Sequence, residues 1–301
     1  MRTAICGPSA ASDLASSLHL FVFGQRTIDT AVLVALQGNN SVPPERKPML
    51  ENRMKSQLLS NKPAFGVSIM VPSPQLVEMV AKLGFDWVLI DCEHGTINPE
   101  TVETLAMAAQ ANGITPIARP RTRNPADIQQ VMDRGVLGVQ VPHVNTVAQA
   151  RAVVDAVKYH PIGKRGLAAG TRPANYGYGI TQSEYVEEAN RESLICVQFE
   201  DKEAIDNADD ILKVDDIDVF FIGPSDLSQS MGFPGRYDEP SVAHAIGSTF
   251  DKISKAGQIA GTPGNADKIS SVLNRGVLYT YTHASKLLAS GADVFFSAAR
   301  S

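Results

Sequence analysis

At 301 residues the chain can hold one large α/β domain or two ordinary ones, and 44% apolar with 20% charged residues excludes a mainly disordered protein. Its formal net charge of −5 comes without basic runs, which argues against a nucleic-acid partner, since phosphate neutralisation needs clustered cations. A small anionic substrate stays open, because one buried arginine suffices to hold it. Cys6, Cys92 and Cys196 are widely spaced and form no CxxC pair, which argues against a thiolate zinc site or a disulfide framework and for a cytoplasmic protein. Early apolar stretches such as 31–36 fall far short of the roughly 20 residues of a membrane helix, so no membrane partner is expected.

Residues 1–48 are rich in Ala, Ser and Thr and end in the proline-rich SVPPERKP, a linker composition. They read as a poorly ordered extension. The segment is poor in acids, as a mitochondrial presequence would be, but poor in arginine too, so a mitochondrial location would follow only if it serves as one. The folded domain is expected over 49–301.

From residue 49 the pattern becomes regular. AFGVSIMV over 64–71 is a buried strand closed by Pro72, and 74–83 a helix with Leu76, Val77, Val80 and Leu83 on one face, stopped at Gly84. FDWVLID over 85–91 is the second strand, and Asn98-Pro99 opens a helix running to Asn112-Gly113. A third strand spans 114–119, followed by a helix opened by Asn124-Pro125 and ended at Gly135. Strands over 137–141 and 194–199 flank a helix over 146–158 and a long insertion. IDVFFI over 217–222 follows, then weaker strands at 258–261 and 277–281. These runs are apolar throughout rather than alternating, as when helices cover a parallel sheet from outside. Alternating strands and helices over roughly 250 residues fit a single (β/α)8 TIM barrel. The rival, an open doubly wound sheet, lacks a GxGxxG after the first strand.

In such a barrel chemistry sits at the carboxyl ends of the strands. Four ends are ionisable: Asp91-Cys92-Glu93-His94-Gly95, Arg119-Pro120-Arg121, Gln198-Phe199-Glu200 and Gly223-Pro224-Ser225-Asp226. Each alone has an ordinary explanation, such as a helix cap for Glu200 or Asp226 and a rim ion pair for Arg119. Together they converge on one rim. Glu200 and Asp226 lie one βα unit apart, and two oxygen ligands without a thiolate suit a hard divalent ion such as Mg²⁺ or Mn²⁺. His94 can move a proton near neutral pH, and Arg119 can clamp a carboxylate.

GFDWVLIDCEHG at 84–95, TPIARP at 115–120, VQFE at 197–200 and FFIGPSDLS at 220–228 closely resemble the HpcH/HpaI family of class II pyruvate aldolases over roughly 50–290. The resemblance implies an aldehyde-lyase that cleaves a 4-hydroxy-2-oxo acid to pyruvate and an aldehyde through a metal-stabilised enolate. It implies Glu200 and Asp226 as ligands of Mg²⁺, Mn²⁺ or Co²⁺, and Gln198 and the Ser225 backbone as contacts of the oxo acid. Arg119 would stabilise the enolate, His94 would be the acid–base group, and Asp91 would join the same cluster. Asp133 resembles the acid that reaches His94 from a neighbouring subunit, in a homo-oligomer that is commonly a hexamer. The superfamily includes macrophomate synthase, so the alternative is an oxaloacetate decarboxylase that traps the enolate on an unsaturated acceptor.

Several positions depart from that pattern. Cys92 stands where a small residue is usual and is expected to pack. His143 in VPHV is open to a substrate contact or a structural role. The insertion over 163–179, with Arg165, Arg172, Tyr176 and Tyr178, corresponds to a segment that covers the site in the family. The stretch 279–300 differs most.

Overall fold

The computed structural model describes residues 51–300; the extension expected over 1–48 lies outside them. Eight parallel strands, β1 Ala64–Ile69, β2 Trp87–Asp91, β3 Thr115–Arg119, β4 Gly138–Val141, β5 Leu194–Phe199, β6 Val219–Ile222, β7 Ile259–Pro263 and β8 Tyr279–His283, pair in sequence order, and β8 closes on β1. Closure rules out the open doubly wound sheet.

Around them run α1 Arg53–Leu59, α2 Pro74–Lys82, α3 Pro99–Ala111, α4 Pro125–Met132, α5 Val147–Val157, α6 Gln182–Glu192, α7 Lys202–Asp206, α8 Ala208–Ile211, α9 Pro224–Ser230, α10 Pro240–Lys255, α11 Ile269–Asn274 and α12 Ala284–Arg300. None of these helices is long and apolar enough to cross a membrane. Helix starts follow the local sequence. Ser73, Asn98, Asn124 and Thr146 each accept a first-turn N–H, and proline holds the first position in three of the four.

Two apolar layers explain the continuous strand runs. Val67, Ile69, Val88, Ile90, Val139, Val197 and Phe220 face outward onto the helices. Ala64, Trp87, Leu89, Ile117, Leu194, Cys196, Val219, Phe221, Tyr279 and Tyr281 fill the interior, and Met54 and Leu58 of α1 pack into the same cluster. Side chains alternate along a strand. The parity that sends Trp87 and Leu89 inward therefore sends Asp91 inward, Ile117 brings Arg119 with it, and Cys196 brings Gln198.

Strand ends shift by up to two residues from the sequence expectation, by two at β1, β2, β6, β7 and β8, and three segments bear on the site or the surface. β8 begins two residues later than 277, because its ladder runs from Ala64↔Tyr279 to Ser68↔His283, and so ends at His283. The insertion over 163–179 leads into α6, which a Thr181/Glu184 capping box opens. It follows α5 and precedes β5, which puts it at the amino-terminal end of the barrel. There Arg165 pairs with Asp133 at 2.6 Å and Arg172 donates to Gln110 at 2.5 Å. Within its own chain it does not cover the carboxyl mouth. Helix α12 buries none of its residues, leaving Leu288, Val294 and Phe295 largely exposed.

A Cβ at Gly66 would run into the Trp87 ring. Gly66→Ala should lower unfolding free energy by roughly 1–3 kcal/mol through overpacking, read from urea denaturation; unchanged stability would show that the Trp87 layer can yield.

Candidate active site

The carboxyl mouth is organised around one buried ion pair. Asp91 and Arg119 are ladder partners on β2 and β3, so their last inward side chains meet. Arg119 Nε donates to Asp91 Oδ1 at 3.0 Å and its Nη2 to Oδ2 at 2.5 Å. Asp91 Oδ1 also accepts the N–H of Glu93 at 3.1 Å and of His94 at 3.2 Å. Burial opposes charge on both partners, but their mutual bonds win: the Asp91 carboxyl lies below its usual range and the Arg119 guanidinium is held charged more firmly than usual. Arg119 Nε lies 3.2 Å from Glu93 Oε2 as well.

Glu200 follows β5, two strands along the barrel from β3, and is 1% exposed. Gln198 donates to its Oε2 at 2.5 Å, and the backbone N–H of His143 to its Oε1 at 2.7 Å. Gln198 in turn accepts from Gln140 at 2.9 Å, and Gln140 from the Tyr279 hydroxyl at 3.0 Å. A line of donors thus crosses the barrel and ends on the carboxylate. Burial above all, with the charges of Glu93 and Asp226 added and His143 opposing, raises the Glu200 carboxyl to about 7. A Cβ at Gly223 would stand 2.9 Å from Glu200 Oε2, so the small residue opens the space between Glu200 and the loop that carries Asp226.

His94 is 54% exposed in the mouth, its Nε2 3.7 Å from Glu93 Oε2. Ser225 lies in the first turn of α9 beside Asp226, its hydroxyl 3.1 Å from that of Tyr237. The structure therefore gathers Asp91, His94, Arg119, Gln198, Glu200, Ser225 and Asp226 at one end. Asp133 is the exception. It caps the far end of α4, at the amino-terminal side, bound to Arg165, and so cannot meet His94 of its own chain.

Cys92 is buried, and burial with the neighbouring Asp91 charge pushes its thiol up to about 12; it packs, as expected. Glu93 and His283 are parts of the mouth that the strand-end reading left without a role, and His143, open between a substrate contact and a structural role, lies among them. Glu93 was visible in the same DCEHG motif, and His283 continues the Tyr-Thr-Tyr-Thr-His alternation of β8. The His283 imidazole is held below its usual range by burial and by Arg119.

The fit of a divalent cation rests on the donor set. Among the described residues no three His, Cys, Asp or Glu side chains form a ready cage. Two carboxylates would hold a hard cation while leaving positions for substrate oxygens and water. Glu200, buried and raised in pKa among other acids, is a carboxylate in want of positive charge.

A (β/α)8 barrel with an arginine–aspartate pair, a histidine and two metal-suited acids gathered at its carboxyl mouth has the layout of an enzyme active site. The chain belongs to the HpcH/HpaI aldolase/citrate lyase family, whose model matches residues 66–277. It is 40% identical over 217 residues to the 2-keto-3-deoxy-L-rhamnonate aldolase of Klebsiella pneumoniae, covering 71% of this chain and 79% of that one. Over 246 residues it is 36% identical to the 4-hydroxy-2-oxo-heptane-1,7-dioate aldolase of Salmonella arizonae, covering 81% and 93%. An HpcH/HpaI aldolase/citrate lyase family protein from Burkholderia cenocepacia superposes with a TM-score of 0.78 at 25% identity, over 83% of this chain and all of that one. Macrophomate synthase shares the fold, with a TM-score of 0.73 at 23% identity over 83% of this chain and 90% of its own.

If Glu200 is a ligand, Mn²⁺ affinity should fall as pH drops through about 7, because protonation removes the charge the cation needs. Calorimetric titrations at pH 6 and pH 8 giving equal affinity would exclude it.

Proposed function

We propose that the chain is a divalent-metal-dependent aldolase that cleaves a 4-hydroxy-2-oxo acid into pyruvate and an aldehyde. The observation that carries this reading is the buried Arg119, locked by Asp91 and facing a mouth shared with Glu200 and Asp226. The names of the two aldolase relatives support it. Mg²⁺, Mn²⁺ or Co²⁺ held by Glu200 and Asp226 would supply Lewis-acid stabilisation of negative charge on the oxo acid.

The chain's own residues account for the rest. Gln198 and the Ser225 N–H hold the oxo-acid end of the substrate. His94, exposed in the mouth and steadied by Glu93, takes the proton from the 4-hydroxyl group. The C3–C4 bond breaks, the aldehyde leaves, and its electron pair passes to the oxo-acid half as the pyruvate enolate. Arg119 stands where that charge develops, and its bonds to Asp91 spare it any reorganisation. A proton returned to C3 completes pyruvate. No Schiff base is needed, so no lysine is required at a strand end.

The working form is a homo-oligomer, a hexamer in the family's manner. Two observations favour assembly: Asp133 is remote from its own chain's His94, and α12 leaves an apolar face uncovered. Asp133 would serve the His94 of a neighbour. The partner of the active site is a small oxo acid rather than a nucleic acid or a membrane. The proposed compartment is the cytoplasm, in keeping with the free Cys92 and Cys196.

Purified protein should release pyruvate from some member of a panel of 4-hydroxy-2-oxo acids with Mg²⁺ or Mn²⁺ and lose that activity in EDTA. Release from oxaloacetate alone would instead favour the decarboxylating synthase. Arg119→Ala should cut kcat by about 10²-fold or more; wild-type turnover in that variant would remove Arg119 from its role. Light scattering should give a mass several times 32.2 kDa, and a monomer at working concentration would overturn the assembly.

A further inference from the structure

Residue 143 has an unusual backbone. At the end of β4 the chain enters the left-handed region at His143, with φ +54°, a conformation that costs most L residues free energy and is accepted readily by glycine and, among the others, by asparagine. The consequence is specific. The turn aims the His143 N–H at Glu200 Oε1, 2.7 Å away, while Gln198 takes Oε2. Both oxygens of one buried carboxylate are therefore fixed in direction, each with lone-pair capacity to spare. The imidazole braces the turn and also approaches the carboxylate: Nδ1 is 3.0 Å from Asp201 Oδ2 and 3.5 Å from Glu200 Oε1, and Nε2 is 3.8 Å from Glu93 Oε1. Arg123 Nη1 donates to the His143 carbonyl at 3.3 Å, pinning the other side of the peptide.

We infer that His143 is a positioning residue that sets the ligating orientation of Glu200 through its backbone N–H, so that what position 143 requires is a left-handed conformation rather than an imidazole. The inference rests on the assignment of Glu200 as a metal ligand, and it separates two kinds of substitution. His143→Gly and His143→Asn keep the conformation. His143→Val opposes it, because a β-branched side chain resists positive φ.

Mn²⁺ affinity of the metal-free full chain, measured by electron paramagnetic resonance, should stay within about threefold of wild type for Gly and Asn. It should weaken by about tenfold or more for Val, the size of effect seen when an outer contact of a metal ligand is removed. Equal affinity in all three variants would overturn the inference, and equal loss in all three would show that the imidazole matters instead. Amide hydrogen exchange in the metal-free protein gives a second arm. The residue 143 N–H should be protected in wild type and exchange faster in Glu200→Ala. No change there would overturn the hydrogen bond's role even if His143→Val fails to fold. Protection of that amide in a wild-type protein that binds no Mn²⁺ would leave the hydrogen bond standing but overturn the ligating role assigned to Glu200, and with it this inference.

Discussion

A guanidinium at the mouth of a barrel, 5% exposed, is stable only if its charge is answered by a partner that cannot move away. Asp91 supplies that answer, with two hydrogen bonds to Arg119 and two from the turn that follows it. The same carboxylate thereby fixes a cation and shapes the loop that carries Glu93 and His94. Removing Asp91 would leave the buried charge answered by Glu93 alone, 3.2 Å from Arg119 Nε, and strip away its two buried hydrogen bonds. The rest of the mouth is arranged around this fixed positive point.

The side of the mouth at Glu200 uses the reverse device. Glu200 is buried among donors and other acids without a full countercharge, so its carboxyl sits near 7. One wall thus holds a satisfied ion pair and the other an acid that gains from a cation. The wall at Glu200 is stiffened by Tyr279, Gln140 and Gln198 in a line of hydrogen bonds, which turns strands far apart in sequence into one support.

Interior packing sets the depth of this chemistry. Trp87 and Tyr279 lie with ring centroids 4.3 Å apart, and Phe221 stacks on Tyr281 at 5.5 Å, filling the barrel below the polar layer. The aromatic plug keeps water out from beneath, while α1 contributes Met54 and Leu58 to the same cluster. The charged Asp91 and Arg119 stand at the last inward positions of their strands.

Much of this was legible in the sequence. Apolar runs closed by Pro and Gly, and helices opened by Ser, Asn or Thr caps, identify βα units because these are local effects of backbone geometry and free N–H groups. DCEHG, ARP, VQFE and GPSD each have an ordinary explanation alone, and point to a site because four ionisable strand ends converge on one rim. Strand parity then says which of them point inward. Barrel closure, however, depends on pairing between β1 and β8, more than 200 residues apart. The bracing of Glu200 depends on a left-handed turn at His143, and the separation of Asp133 from His94 depends on which way α4 runs back across the barrel. Each brings together or keeps apart residues distant in the chain. No local pattern encodes such distances, so only the tertiary structure decided them.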